Sequence, residues 1–222
     1  MKDTSSLEYI YISDIPKEGE NKPLLILLHG YGADKYNLLS LTDNFPDYFV
    51  VSLKAPIMQS MLGSSWCDIY YKDGQKSYDL VQLEESRQLV FEFIEYAISE
   101  YNVDTSDINL LGFSQGAVMA HSLALTKPEL FKSVITLSGF IYEDYINPII
   151  GDIEKIKELN IFIGHGGKDT IVPVEKDVKS TELLDTHDVK YTFKEYGIGH
   201  EISPEEIKDV QEWLKETNTK IN

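Results

Sequence analysis

Apolar and polar positions follow two rhythms along this chain. Leu24 to Leu28 is an unbroken apolar run, short enough for a strand buried on both faces. Leu7 to Ile12, Tyr48 to Leu53, Ile108 to Leu111, Val134 to Leu137, Ile161 to Ile163 and residues 189–195 read as further strands. Between them the period lengthens. Residues 82–101 predict a long helix, with Leu83, Val90, Phe93, Ile94, Ala97, Ile98 and Tyr101 on one apolar face. Shorter helices are expected over about 115–126 and 174–185. A final helix is marked by Ser203 as N-cap, Pro204 at its first position and Glu206 closing a capping box. Ile207, Val210, Trp213 and Leu214 supply its core-facing stripe. Strand and helix in alternation predict an α/β fold, a mostly parallel sheet of about seven strands with helices on both faces. No repeat or linker divides the chain, so residues 1–222 read as a single domain.

In such sheets ligands bind at the C-terminal ends of the strands, so the residues just after each apolar run carry the information. Four of these ends hold glycines beside Ser, Asp or His. They are His29-Gly30-Tyr31-Gly32, Gly112-Phe113-Ser114-Gln115-Gly116, His165-Gly166-Gly167-Lys168-Asp169 and Gly197-Ile198-Gly199-His200. Ser114 falls at a strand-to-helix turn, where small neighbours at 112 and 116 let strand and helix approach and the hydroxyl stands clear of the sheet. A serine hydroxyl needs an adjacent base to attack at neutral pH. Of five histidines, His121 lies down the following helix and His187 in a polar stretch. His29 and His165 precede glycines in turns, where backbone hydrogen bonds are expected. His200 remains, in a glycine-flanked loop before the last helix. Asp169, after the intervening strand, is the favoured carboxylate to orient it, with Glu143, Asp144 and Asp152 as rivals. The amides of Gln115 and Tyr31 are the expected oxyanion donors.

Composition narrows the field. Twenty Lys and Arg against 37 Asp and Glu give a net charge of −17, which repels phosphate backbones and anionic lipid. No nucleic-acid partner and no membrane insertion are expected, while a small-molecule substrate remains compatible. Cys67 is the single cysteine, so no internal disulfide can form and a reducing compartment fits. The polar first residues carry no apolar signal region, and no run approaches the ~20 residues of a membrane span; a cytoplasmic protein is expected. Cys67 lacks a strand–helix turn and reads as a packing residue.

Taken in order and spacing, these motifs resemble the phospholipase/carboxylesterase family of α/β-hydrolases, which includes the acyl-protein thioesterases. The resemblance covers nearly the whole chain and extends to His165-Gly166-x-x-Asp169-x-x-Val172-Pro173, Gly199-His200-Glu201-Ile202 and Ser65-Trp66-Cys67-Asp68. It implies a Ser–Asp–His ester hydrolase without metal or cofactor, often a homodimer. Ala117 stands where many thioesterase members have a second glycine, which is similar to the bacterial carboxylesterase branch. Met58, Met61, Leu62 and Trp66, in the loop 54–81, are candidates to line an acyl pocket. The stretch from Leu137 to Ile161 is too short for a full helical lid. An open cleft for small or short-acyl esters is therefore expected, with an acyl-protein thioesterase or lysophospholipase, a peptidase or lactone hydrolase, and a catalytically silent binding protein as the alternatives.

Overall fold

The computed structural model describes residues 5–11, 13–59, 63–72 and 75–219. Its strands are β1 (Tyr9–Tyr11), β2 (Lys22–Leu28), β3 (Phe49–Leu53), β4 (Ile57–Gln59), β5 (Gly63–Ser65), β6 (Ile69–Lys72), β7 (Gln75–Tyr78), β8 (Val103–Phe113), β9 (Ser133–Leu137), β10 (Asn160–Gly166) and β11 (Tyr191–Tyr196). The helices are α1 (Leu80–Glu100), α2 (Gln115–Thr126), α3 (Glu143–Ile146), α4 (Ile153–Ile156), α5 (Glu175–Thr186) and α6 (Pro204–Thr219). Seven strands form the central sheet in the order β1-β3-β2-β8-β9-β10-β11. Only β1 runs antiparallel, against β3. This is the α/β-hydrolase fold without a large lid, because only the four-residue helices α3 and α4 lie between β9 and β10.

The unbroken apolar run of β2 has a simple cause. Leu24, Ile26 and Leu28 face one core, shared with Leu83, Val90, Phe93, Ile94 and Ala97 of α1. Leu25 and Leu27 face the other, shared with Ile207, Val210 and Leu214 of α6. A strand covered on both faces has no side left for polar residues. Each such side chain removed from water contributes about 1.5–3 kcal/mol. Helix α2 is more deeply enclosed still: every residue from Gln115 to Leu125 is buried. That fits a sequence in which apolar residues and glycine fill most positions.

Three features depart from the sequence reading. Strand β8 begins at Val103 rather than Ile108. Its pairing with β2 slips between Pro23 and Leu24, which oppose Asp104 and Ile108. The polar residues 105–107 are taken up by that irregularity, so alternation could not reveal them. The segment 54–81 is no plain loop. It holds two antiparallel hairpins, β4–β5 and β6–β7. The capping box of α6 is only half closed: Ser203 Oγ accepts the Glu206 N–H at 3.1 Å, but neither Glu206 carboxyl oxygen has a hydrogen-bond partner. The Glu206 side chain is instead fully buried against β10, where a Cβ on Gly164 would lie 2.5 Å from its Oε1. Among the described residues no helix is long and apolar enough to cross a membrane.

Candidate active site

Strand β8 ends at Phe113 and α2 starts at Gln115, leaving Ser114 alone to make the turn. Its backbone sits at φ 55°, ψ −117°. For a residue with a Cβ this costs about 1–3 kcal/mol and persists only where the surroundings enforce it. The enforcement is visible. The Ser114 N–H donates to the Leu137 carbonyl at 2.9 Å, tying the turn to the end of β9. A Cβ on Gly116 would sit 1.9 Å from the Leu28 oxygen, and one on Gly112 would sit 2.2 Å from the Gly116 oxygen. Both positions therefore require glycine, and only with glycine can α2 start so close to the strand ends.

The loops after β10 and β11 bring two further groups to this hydroxyl. His200 Nε2 lies 2.9 Å from Ser114 Oγ, and its Nδ1 lies 2.6 Å from Asp169 Oδ2. The other Asp169 oxygen accepts the N–H groups of Ile171 and Val172 at 2.8 and 2.9 Å. Burial pushes this carboxyl up, but the hydrogen bonds from His200 and the two amides outweigh it and hold the group below the usual aspartate range. The Phe113 ring packs on the imidazole, centroids 5.0 Å apart. Ser114, Asp169 and His200, far apart in sequence, thus form one hydrogen-bonded line. Of the rival acids, Asp152 caps α4 through the Glu154 amide, and none of the described hydrogen bonds joins Glu143 or Asp144 to a histidine.

The remaining histidines are accounted for differently. His29 Nδ1 bonds the Gly30 carbonyl at 2.8 Å and its Nε2 accepts the Ala55 N–H at 3.0 Å. His121 is enclosed in α2 with Nε2 unpartnered, and burial drives its pKa down to about 3. His187 caps the end of α5. His165 does bond backbone, the Val172 carbonyl at 2.8 Å, but it also holds Asp177 Oδ2 at 2.6 Å through Nδ1. That second pair, between β10 and α5, left no signal in the sequence reading beyond an acid in the first turn of a helix.

The residues expected to line an acyl pocket separate. Trp66 is fully buried and serves the turn after β2: its indole N–H donates to the His29 carbonyl at 2.8 Å, and its own carbonyl accepts from Ser86 Oγ. Met58 lies on the β4–β5 hairpin with 63% of its surface exposed. Neither is among the residues lining the cleft at Ser114; the β4–β5 hairpin pairs with the turn after β2 through Ser64 and Ala33. Met61 and Leu62 lie outside the described residues. The same segment clamps Gln115. Its side chain accepts the Trp66 N–H at 2.9 Å and donates to the Cys67 carbonyl at 2.8 Å. Cys67 is itself buried, and burial raises its thiol to about 12, which fits a packing residue. In the turn after β2, the Gly32 N–H goes to Ser64 and the Ala33 N–H to Gly30, while the Tyr31 N–H has no partner among these turn bonds. The Gln115 N–H opens a helix, where no intrahelical acceptor exists.

The cleft at Ser114 has a volume of about 210 Å³. Ile69, Tyr78, Val118, Phe140, Ile171 and Val172 form its apolar wall. Sequence reasoning missed most of these. Val172 lies in the motif that starts at His165 and Phe140 follows a strand end, so the strand-end rule could have found both; the β6–β7 residues gave no such cue. Among the described residues no cluster of three or more His, Cys, Asp or Glu could hold a metal ion.

Comparison with known proteins places these observations in context. The model of the Phospholipase/Carboxylesterase family matches residues 12–218. Acyl-protein thioesterase 1 of Emericella nidulans is 26% identical over 224 residues, covering 90% of this chain and 92% of that protein. Among solved structures, esterase PE8 superposes with a TM-score of 0.77 at 27% identity, covering 95% of this chain and 99% of the other. A Bacillus cereus carboxylesterase reaches 0.81 over 97% of both chains at 20% identity, a likeness of fold.

Proposed function

This chain belongs to the phospholipase/carboxylesterase family of hydrolases acting on ester bonds, and we propose that it is a serine carboxylesterase working through Ser114, His200 and Asp169. The observation that carries the proposal is the imidazole of His200, hydrogen-bonded at 2.9 Å to a hydroxyl on one side and at 2.6 Å to a carboxylate on the other. In the reaction the Ser114 hydroxyl attacks the ester carbonyl while His200 Nε2 takes its proton. Asp169 holds Nδ1 protonated and stabilises the imidazolium. The Gln115 and Tyr31 amides receive the oxyanion; each such donor is worth about 3 kcal/mol in the transition state. His200 then protonates the departing alcohol. Water, deprotonated by the same imidazole, cleaves the acyl-enzyme and restores Ser114.

The cleft, at about 210 Å³, lies below the roughly 300–1,000 Å³ of drug-sized sites, which favours small or short-acyl esters. A rate that rises steadily with acyl chain length would instead favour the lysophospholipase reading or the thioesterase reading, the latter suggested by the name of the Emericella relative. The test is covalent labelling by a fluorophosphonate with p-nitrophenyl acetate turnover alongside. The expected results are labelling at Ser114, a burst of p-nitrophenol, and loss of both in Ser114→Ala. Turnover that survives intact in Ser114→Ala would refute the assignment, and absence of labelling would favour a silent binding protein.

A further inference from the structure

The cleft beside Ser114 differs in electrical sign from the chain around it. The protein carries a net charge of −17, yet among the described residues no Asp or Glu lines the cleft, while Lys76 of β7 does. Lys76 makes no ion pair with any described residue. It shares the cleft with Ser114, His200 and an apolar wall. A second cation stands behind one wall of the cleft, in the neighbouring groove that shares Phe140 with it. Lys176 of α5 holds its ammonium 4.1 Å from the centroid of the Phe140 ring, and Phe140 lines the cleft. Burial holds the Lys176 pKa below the usual lysine range, and repulsion from Lys76 and Lys179 lowers it further. Three like charges are thus gathered at one place. Glu143 and Asp144 line the neighbouring groove with Lys176 and Lys179, yet neither is within ion-pair distance of those lysines.

Like charges held together without partners raise the energy of the free protein, and an anion arriving there relieves it. In a confined, largely apolar cleft the attraction is screened less than on the open surface. We propose that the cleft selects esters bearing a negative charge a few carbons from the scissile carbonyl, with the anionic group, a carboxylate or similar, seated against Lys76. The inference rests on the reading of Ser114 as nucleophile and names the substrate class for that site. It also gives the β6–β7 hairpin a role: the hairpin carries a cation to the sheet end where Ser114 and His200 meet.

The test compares monoethyl adipate with ethyl hexanoate, which share chain and leaving group and differ in the terminal charge. The expected result is a kcat/KM higher by about tenfold for the anionic ester at low salt, the size of one charge-assisted contact. That preference should shrink in 1 M NaCl. It should be lost in Lys76→Gln, largely kept in Lys76→Arg and partly reduced in Lys176→Gln. Hydrolysis of ethyl hexanoate with no preference for the adipate ester overturns this inference and leaves the esterase reading standing. A preference that survives Lys76→Gln overturns it equally. If neither ester is hydrolysed and the fluorophosphonate fails to label Ser114, the esterase reading falls and this inference falls with it.

Discussion

Two histidine–aspartate pairs stand side by side where β10 and β11 end, and only one of them meets a serine hydroxyl. His200 Nδ1 and Asp169 Oδ2 are 2.6 Å apart; so are His165 Nδ1 and Asp177 Oδ2. The difference lies at the other ring nitrogen. His200 Nε2 reaches Ser114 Oγ, and its side chain keeps 18% of its surface exposed to the cleft. His165 Nε2 is spent on the Val172 carbonyl, and both members of its pair are fully buried. The pairs also touch: His165 Nε2 is 3.6 Å from Asp169 Oδ2, and the Val172 amide that faces Asp169 belongs to the residue whose carbonyl His165 holds. A carboxylate behind an imidazole is therefore no signature of catalysis by itself. What the free nitrogen faces, and whether substrate can reach it, decides between chemistry and scaffolding.

Breaking the outward pair gives the largest effect. In Asp169→Asn the imidazole loses the acceptor that fixes its tautomer, and kcat on p-nitrophenyl acetate should fall by roughly 10³–10⁴. Ser114→Ala should fall at least as far, and combining the two should add little, because the three groups act as a unit. A fall of less than tenfold in Asp169→Asn would mean that another acid supports His200.

Breaking the inward pair should show in stability instead. His165→Ala leaves the Asp177 carboxyl buried without its partner. Burial already holds that carboxyl up at about 6 despite the imidazole beside it. Removal of one partner from such a pair costs about 3–5 kcal/mol, and for a chain of this size each kcal/mol shifts Tm by roughly 2–4 °C. The expected outcome is a Tm lower by about 10 °C, with kcat per folded molecule within about tenfold of the parent. His165→Gln, which can keep one hydrogen bond, should lose less. A variant with unchanged Tm and abolished turnover would place His165 in the catalytic line and erase the distinction between the pairs.

The contrast also explains which features could be read in advance. Ser114, Asp169 and His200 were legible because each follows an apolar run and is flanked by glycines, and chain order supplied their pairing. The β2 core was legible because an apolar run without polar interruption has few ways to fold. The Trp66 contact was not. A buried tryptophan and a pocket tryptophan have the same sequence signature, and only the position of the His29 carbonyl tells them apart. The β6–β7 hairpin was hidden for a related reason: Tyr70 and Tyr71 are both exposed, so strict alternation never forms. Asp177 was passed over and Glu206 misread for a third reason. Acids in the first turn of a helix usually face water, and here the packing of α5 and α6 on β10 turns them inward.

Glu206 gives the smallest but cleanest test of that buried polar side of the molecule. Its carboxyl is held at about 7, raised chiefly by burial, with the nearby Ser203 backbone and His165 pulling it down only in part. In the unfolded chain the group titrates near 4.3–4.5. Between those values the native state keeps a proton that the unfolded chain has released, so this residue's effect on stability worsens as pH rises from about 4.5 to 7 and then levels off. Glu206→Gln has no proton to lose. Relative to the parent it should be near neutral at pH 4.5 and more stable by about 2–3 kcal/mol at pH 8, because each pH unit separating the folded and unfolded titrations corresponds to about 1.36 kcal/mol and partial solvation takes back some of it. Urea unfolding at the two pH values measures the difference. A gap that does not change with pH would mean that Glu206 is ionised in the folded chain with a partner cation. The polar interior behind the cleft would then be a charged network, and His165 would no longer stand apart from the line that leads to Ser114.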